Sequence, residues 1–330
     1  MREKKITILA VVGPTASGKT ALAIALAKRY GGEIVSCDSM QIYRDMNVGT
    51  AKPTLEERDG VPHHLMDCVP PENSFSVADY VREASAVIRE IDGRGRLPIL
   101  CGGTGLYLDS LLRGGVYEEA EGDPLVRAEL LEYARVHGNE ALHRMLRKID
   151  PESAEATHEN NVKRVVRAIE IYRVTGLTKT EVDRRSRQIP SPYDATVIGL
   201  RYRSRELLYR RIDLRVDRML EDGLAEETRT LLERGVFDTN TTAAQAIGYK
   251  ELLGALSGEC TLFEATEALK RATRRYAKRQ STWFSAKDYV HWIDADDGMG
   301  HMRTAADLQE EVEAYLAERA LLPTFSRSPS

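Results

Sequence analysis

The residues at positions 13–20 have the types and spacing of a phosphate-binding loop. Their sequence, GPTASGKT, fits the pattern G-x-x-x-x-G-K-[ST] in full. The glycines let the backbone curl so that its N–H groups face anionic oxygens, the lysine adds a mobile charge, and the last hydroxyl can bind Mg²⁺ or a phosphate oxygen. Nucleotide-binding proteins, including ATP-binding ones, use this kind of loop. The alternative interpretation of residues 13–20 is a chance glycine-rich turn. The predicted phosphate ligands are Gly13, Pro14, Thr15, Ala16, Ser17, Gly18, Lys19 and Thr20.

Two polar residues follow the next apolar runs of the chain. Asp38 comes after residues 33–36, and Thr104 comes after residues 98–101. Parallel strands end at one edge of a sheet, which is where α/β proteins bind their ligands. Asp38 could hold Mg²⁺ there, act as a general base, or only cap a turn. Thr104 could contact a ligand or cap the helix that follows it.

The order of elements predicts an α/β fold, with a P-loop NTPase-like parallel sheet as its core. The apolar run at 6–12 reads as a buried strand and the alanine-rich run at 20–30 as a helix. Further strands are predicted at 33–36, 98–101, 195–200 and 289–293, and long helices at 204–234 and 262–285. The tail at 325–330 is predicted to be disordered.

Residues 117–194 have a different character, with few strand signals. Helical spacing recurs at 125–136, 140–149 and 161–174. We therefore predict a catalytic core formed by residues 1–116 and 195–330, interrupted by a helical insertion domain at 117–194. The apolar face predicted for the helix at 161–174 consists of Val162, Val165, Val166, Ile169 and Tyr172.

Composition narrows the class of protein. The chain has 330 residues, enough to bury a core without disulfides or a structural metal. Its four cysteines form no CxxC pair, which argues against a zinc site and favours buried thiols in a reducing compartment. No apolar run is long enough to cross a membrane, so we expect a cytoplasmic protein. The adjacent His63 and His64 would face opposite ways in a strand, which favours a structural role.

A run of basic residues near the C-terminus predicts contact with a polyanion. Residues 269–287 contain no acidic residue, and most of their cations recur at a spacing of four, on one helix face. A solvated face is the alternative, but such faces usually mix both signs. Trp283 and Phe284 could stack on a base or pack in the core. The cations of this run are Lys270, Arg271, Arg274, Arg275, Lys278, Arg279 and Lys287, and a weaker patch holds Lys163, Arg164 and Arg167.

Taken together, the motifs resemble those of the tRNA dimethylallyltransferases. The resemblance spans most of the chain, and the segments after the phosphate loop are its more specific part. Cys37 and Ser285 depart from the family pattern, since relatives often have alanine and a basic residue there. The matching segments are GPTASGKT (13–20), DSMQIY (38–43), GTAKP (49–53), GGTGLY (102–107), RAIEIY (167–172), QAIGYKEL (245–252) and AKRQSTWF (277–284).

The resemblance implies a transfer of the dimethylallyl group of dimethylallyl diphosphate to the N6 amine of the adenosine just 3′ of the anticodon in tRNA. It implies that Lys19, Thr20 and Mg²⁺ stabilise the leaving diphosphate. Asp38 matches the family's general base, Thr104 a residue that holds the geometry, and Arg215 an arginine that reaches the diphosphate. We expect a monomer that binds the anticodon stem-loop. The predicted tRNA contacts are Asp38, Ser39, Met40, Gln41, Lys163, Arg164, Arg167, Gln245, Gly248, Tyr249, Lys250, Lys278, Arg279, Gln280 and Trp283.

Three other functions use part of the same pattern. A P-loop small-molecule kinase would share Lys19 and Thr20 but would not need the basic run at 269–287. An RNA-binding switch module would need that run but not Asp38 beside the phosphate loop. A prenyltransferase acting on free adenine nucleotides would not need a surface large enough for tRNA.

Overall fold

The computed structural model describes residues 4–113 and 122–319. Within them six strands form one parallel sheet: β1 (Ile6–Val12), β2 (Gly32–Ser36), β3 (His63–His64), β4 (Leu97–Gly102), β5 (Tyr193–Arg201) and β6 (Val290–Asp294). The sheet order is β3-β2-β4-β1-β5-β6. β1 lies in the middle, paired with β4 on one side and β5 on the other. The loop that follows β1 therefore leaves the sheet at its centre.

Helices make up most of the remaining described structure. In chain order they are α1 (Lys19–Tyr30), α2 (Val77–Gly93), α3 (Gly105–Leu112), α4 (Pro124–His137), α5 (Asn139–Ile149), α6 (Pro151–Glu155), α7 (Val162–Thr175), α8 (Lys179–Gln188), α9 (Arg205–Glu221), α10 (Leu224–Glu233), α11 (Val236–Thr239), α12 (Tyr249–Leu256), α13 (Leu262–Ser285) and α14 (Ala305–Glu318). No described helix has the length and apolarity needed to cross a membrane.

The predicted α/β fold with a parallel sheet is confirmed, and the predicted strands match β1, β2, β4, β5 and β6 to within two residues. Strand β3 was not predicted, because it has only two residues. There the His64 ring lies 2.7 Å from Glu33, and His63 bonds the carbonyl oxygen of Val61, so both have structural partners. No group of acidic, cysteine or histidine side chains in the described residues could hold a metal ion.

The single helix predicted at 204–234 is wrong. Two helices occupy this segment: α9 ends at Glu221 and α10 begins at Leu224. Gly223 between them has φ +96°, a conformation that interrupts helical geometry. The break produces the separate helix α10. The disorder predicted for the tail at 325–330 concerns residues outside those described.

The chain divides into two compact units. The first contains Met1–Leu111 and Tyr193–Ser330 and holds the sheet. Its core includes side chains of β1, α1 and α14 that are almost fully buried. The predicted boundary at 116/117 falls outside the described residues, and the predicted return to the core at 195 lies two residues after β5 begins.

The second unit, Leu112–Pro192, is helical. Its own core joins α4, α5 and α7, with Leu130, Leu142 and Ile169 completely buried. Tyr172, predicted to lie on the apolar face of α7, is 41% exposed because it falls beyond the last buried turn of that face. A separate core is what lets a unit fold around its own apolar surface.

Candidate active site

The phosphate loop joins β1 to α1. Gly13 has φ +139°, and a Cβ there would lie 2.5 Å from the carbonyl oxygen of Leu200. Gly18 has φ +89° and precedes α1 without a side-chain cap, so the first-turn amides of α1 are left for a ligand. The Ser17 hydroxyl is completely buried and has no partner among the described residues. An unpaired buried hydroxyl beside free amides fits a site for anionic oxygens.

Neighbouring side chains fix the shape of this loop. The carbonyl oxygen of Ala16, a residue with φ +63°, accepts hydrogen bonds from the Tyr202 hydroxyl at 2.6 Å and from Arg211 Nε at 3.1 Å. Lys19 Nζ donates to the carbonyl oxygen of Pro14 at 2.7 Å. These contacts hold the loop in its curled form before any ligand arrives.

Gln280 of α13 connects the phosphate loop to the turn after β4. Its side-chain oxygen accepts from the Thr15 amide at 2.8 Å, and its side-chain nitrogen donates to the carbonyl oxygen of Gly103 at 3.0 Å. Gln280 is only 6% exposed, and both ends of its amide are used. The predicted contact between Gln280 and tRNA is therefore corrected, and we assign Gln280 to positioning the loop.

Asp38 begins a turn directly after β2. Its Oδ1 accepts hydrogen bonds from the amides of Met40 at 2.9 Å and Gln41 at 3.4 Å. Its Oδ2 accepts none from the part of the chain that the structure describes. The cap interpretation of Asp38 therefore holds for one oxygen, and it leaves the second oxygen able to accept a proton.

The turn after β4 packs directly against the Asp38 turn. Thr104 Oγ1 accepts from the Ser39 amide at 3.1 Å, and the Thr104 amide donates to the carbonyl oxygen of Cys37 at 3.2 Å. A Cβ at Gly102 would lie 2.0 Å from that carbonyl oxygen, so only glycine permits this approach. Thr104 thus fixes the turn that carries Asp38.

Two cations lie at this edge with Asp38. Burial, the largest cause, lowers the pKa of Lys19 to about 8; the charge of Arg215 also lowers it, while Cys101 and Asp38 oppose the shift. Burial likewise lowers the pKa of Arg215, against the charges of Asp38 and Glu57. The charge of Arg215 acts on Lys19, and the charge of Asp38 acts on both cations. Helix α9 therefore places Arg215 at the site rather than at the open surface.

Tyr276 of α13 is a further residue here that the sequence analysis did not single out. Burial, followed by the charge of Asp38, raises the pKa of its hydroxyl, and the nearby polar side chains of Thr104 and Gln280 partly offset that shift. The hydroxyl therefore stays protonated beside Asp38. Its position one helical turn before Gln280, on the same face of α13, is the signal that could have identified it.

The comparisons with known proteins agree on one family. Residues 41–287 match the family model described as IPP transferase. Relatives named tRNA dimethylallyltransferase from Caldanaerobacter subterraneus subsp. tengcongensis and Halalkalibacterium halodurans are 45% and 50% identical, over 94% and 90% of this chain and 98% and 93% of theirs. The chain belongs to the IPP transferase family of tRNA dimethylallyltransferases.

Solved structures support the same assignment. The full-length tRNA isopentenylpyrophosphate transferase from Bacillus halodurans has a TM-score of 0.69 and 45% identity, over 97% of this chain and 99% of that one. A eukaryotic dimethylallyltransferase, studied acting on tRNA, has a TM-score of 0.80 and 31% identity, over 95% of this chain and 80% of that one. The resemblance found from the motifs is therefore confirmed.

Another family motif, GTAKP, lies in a loop that α10 and α12 hold in place. Glu227 accepts hydrogen bonds from the three amides of residues 47–49 and from the Tyr249 hydroxyl. A Cβ at Gly49 would lie 2.4 Å from the Tyr249 ring, and Gly248 has φ +108°. Tyr249 is completely buried and Gly248 is buried too, so their predicted contacts with tRNA are corrected to a role in the fold. Gln245 and Lys250 are exposed and remain candidates for tRNA contact.

The basic run on α13 separates into two rows. In one row, Lys270 Nζ lies 2.6 Å from Asp217, and Arg274 pairs with Asp213, both on α9. Lys287 similarly pairs with Asp109 at 2.6 Å. The expectation of a stripe with a single sign is therefore wrong for these three cations, because acidic side chains distant in sequence neutralise them.

The other row is exposed and forms what we call the α13 basic surface. Its members have no ion pair within the described residues: Arg271, Arg275, Lys278 and Arg279. Phe284 is completely buried in the core, whereas Trp283 is 36% exposed and lies against Gly105. Lys287 Nζ lies 5.2 Å from the centre of the Trp283 ring. Trp283 thus keeps one accessible part beside the site.

The weaker basic patch of the helical unit also divides. Arg167 donates to Glu170 at 2.8 Å, and Arg127 donates to the same carboxylate at 3.0 Å. Because Glu170 is completely buried, these arginines compensate its charge. The Arg167 side chain is 37% exposed, so its contact with tRNA stays a prediction. Lys163 and Arg164 are exposed.

Proposed function

We propose that this chain transfers the dimethylallyl group of dimethylallyl diphosphate to the exocyclic N6 amine of the adenosine immediately 3′ of the anticodon in tRNA, releasing diphosphate. The observation that carries the proposal is the meeting of Asp38, Thr104 and Arg215 with the phosphate loop at one edge of the sheet. The names and high identities of the relatives support the choice of donor and acceptor.

The phosphate loop acts as a clamp for the leaving group. The bond between the allylic carbon and its oxygen breaks, and the electron pair leaves on the diphosphate. The first-turn amides of α1, Lys19 and Arg215 stabilise the negative charge that grows there. The buried, unpaired Ser17 hydroxyl supports a ligand with anionic oxygens, such as diphosphate, in the loop.

Asp38 acts as the general base. The amine of adenine is a weak nucleophile because its lone pair is delocalised into the ring, so a positioned proton acceptor accelerates its attack. As the nitrogen bonds the allylic carbon, its proton passes to Asp38 Oδ2. The hydrogen bond to Oδ1 and the bond between the Ser39 amide and Thr104 hold the Asp38 turn, and with it Oδ2, in place.

Magnesium fits the donors at this site. Mg²⁺ prefers oxygen ligands and usually takes few from the protein when a substrate diphosphate and water supply the rest. Thr20, at the first turn of α1, would hold it with the diphosphate. When bound, the ion neutralises charge on the leaving group.

The RNA substrate is recognised by both units. The α13 basic surface contacts the phosphate backbone, with Lys163 and Arg164 as a second contact. Reaching one adenine in an anticodon loop requires that its base be flipped outward, and the partly exposed Trp283 can stack on a base there. The residues around Asp38, namely Ser39, Met40 and Gln41, then line the entry for the adenine, with Gln245 and Lys250 on the accessible side. We expect the protein to act as a monomer.

Incubation with labelled dimethylallyl diphosphate and unmodified tRNA tests the proposal. We expect label in the adenosine that follows the anticodon, and none in free adenosine monophosphate under the same conditions. Transfer to the free nucleotide instead would mean that the acceptor is wrongly assigned. No transfer to either, together with phosphoryl transfer from ATP, would replace the proposal with a kinase.

A further inference from the structure

Glu227 of α10 lies outside the edge that holds Asp38, yet it makes a dense set of hydrogen bonds with the loop at 47–53. We propose that Glu227 is a positioning residue for the transfer reaction, which acts through this loop and Gln41 on the turn that carries Asp38. The inference rests on the proposed function, because it assumes that Asp38 takes part in the chemistry.

The first step is the contact between Glu227 and the loop. Its Oε2 accepts from the amides of Asn47 at 2.8 Å and Val48 at 2.9 Å. Its Oε1 accepts from the amide of Gly49 at 3.0 Å and from the Tyr249 hydroxyl at 2.7 Å. Consecutive backbone amides turned toward one carboxylate form an anion-binding nest. Four donors converge on two oxygens, so only a carboxylate satisfies all of them.

Tyr249 keeps this contact rigid. The residue is completely buried, and its ring fills the space that a side chain at position 49 would need. Burial, followed by the charge of Glu227, raises the pKa of Tyr249, so its hydroxyl stays protonated and donates. The carboxylate of Glu227 therefore has a fixed partner behind it and cannot follow the loop if the loop moves.

The second step leads from the loop to Asp38. Gln41 Nε2 donates to the carbonyl oxygens of Thr50 at 3.3 Å and Ala51 at 3.5 Å, and Gln41 Oε1 accepts from Ser36 Oγ at 3.1 Å. The backbone amide of the same Gln41 donates to Asp38 Oδ1. A displacement of the loop would therefore move Gln41 and with it the oxygen that orients Asp38.

The far end of the loop has an independent anchor. Lys52, whose side chain is 4% exposed, donates to the carbonyl oxygen of Tyr43 and to Asn47, and pairs with Asp67. A change at Glu227 should consequently shift residues 47–51 without unfolding the loop. That makes the effect on catalysis separable from an effect on the fold.

The test compares Glu227→Gln with Glu226→Gln on the intact protein. Glu226 is exposed on the same helix and pairs only with Arg229 among the described residues, so its substitution is the matched control. We expect Glu227→Gln to lower the single-turnover rate of transfer about 10- to 100-fold, while the KM for dimethylallyl diphosphate changes less than about twofold. Tyr249→Phe, which removes one donor and keeps the ring, should show a smaller decrease of the same kind.

A double-mutant cycle with Gln41→Ala separates positioning from general loss of structure. If Glu227 acts through Gln41, the decrease caused by Glu227→Gln should largely disappear in the Gln41→Ala background. Equal decreases in both backgrounds, or a wild-type rate for Glu227→Gln, would overturn the inference about Glu227. The proposed function would still stand in either case, provided that the wild-type protein transfers the dimethylallyl group. If Glu227→Gln does not fold, judged by circular dichroism, the same cycle with Tyr249→Phe decides.

Discussion

Lys19 is the last residue but one of the phosphate loop and the first residue of α1, and its buried surroundings disfavour its charged form. Burial lowers its pKa to about 8 in the protein without ligand, and Arg215 adds to that effect. A bound diphosphate favours the charged form, so binding and protonation of Lys19 should be linked. Above about pH 8 we therefore expect Lys19 to gain its full charge only when the diphosphate is bound.

Affinity for dimethylallyl diphosphate should accordingly depend on pH. Below about pH 8 Lys19 is already protonated and affinity is flat; above it, binding must take up a proton, so log Kd should rise by up to about one unit per pH unit. Calorimetric titration from about pH 7 to about pH 9.5 would measure this. Lys19→Arg, which cannot deprotonate in this range, should bind with little pH dependence. An equally flat profile in the wild type would contradict the lowered pKa.

Gln280 is the residue whose removal should most directly loosen the loop. Gln280→Ala would leave the part-buried Thr15 amide and the buried Gly103 carbonyl unpaired, at a cost of about 1–3 kcal/mol for the buried group and less for the other. We expect a lower urea midpoint and weaker diphosphate binding. Gln188→Ala, at an exposed position, serves as the control. Unchanged stability would mean that water or nearby groups replace both bonds.

At the scale of the element, α13 serves two neighbours at once. One row of its cations pairs with acids of α9, the opposite side supplies Gln280 and Tyr276 to the site, and the remaining row faces solvent. The spacing of four residues predicts that these cations share a face, but it does not predict which of them form ion pairs with acidic side chains. That depends on Asp213 and Asp217, which are distant in sequence.

Reversal of the exposed row should weaken tRNA binding through electrostatics. We expect Arg271→Glu/Arg275→Glu to lower affinity and to reduce the slope of log K against log salt by about 0.7–0.9 for each phosphate that the protein no longer neutralises. Filter binding at several salt concentrations would measure the slope. Arg89→Glu/Arg96→Glu is the matched control, since both residues are exposed, Arg96 directly precedes β4, and Arg89 acts on Tyr193 at the start of β5. An unchanged slope would assign the RNA to another face.

Regular elements were largely predictable because their signals are local. The apolar run of β1, the glycines of the phosphate loop and the long periodic pattern of α13 each specify one structure. The break between α9 and α10 was not predicted, because the helical pattern continues on both sides of the single glycine at position 223. Its consequence is large, since α10 carries Glu227.

At the scale of the whole molecule, the site combines residues from across the first unit. Lys19, Asp38 and Thr104 could be selected from the sequence because each follows a predicted strand. Glu227 and Tyr276 could not, since nothing in a helix of mixed charges marks one glutamate, and nothing in a basic helix marks one tyrosine. Their importance lies in interactions with segments more than one hundred residues away.

The helical unit should contribute to RNA binding but not to donor binding. We expect Lys163→Glu/Arg164→Glu to weaken tRNA affinity while the Kd for dimethylallyl diphosphate stays within about twofold of the wild type. Arg147→Glu/Lys148→Glu, also an exposed basic pair of this unit, is the control. Fluorescence titrations with each ligand would measure both constants. Equal decreases from both pairs would indicate a nonspecific charge effect.

The central claim is that Asp38 accepts the proton of the adenine amine, and Asp38→Asn tests it most directly. Asparagine keeps an oxygen that can accept the bonds from Met40 and Gln41, so the turn should survive. Single-turnover transfer from dimethylallyl diphosphate to tRNA should fall by about 10²–10⁴-fold, with tRNA affinity nearly unchanged. Near-normal transfer by Asp38→Asn, or a decrease in tRNA affinity that accounts for the whole effect, would contradict the account.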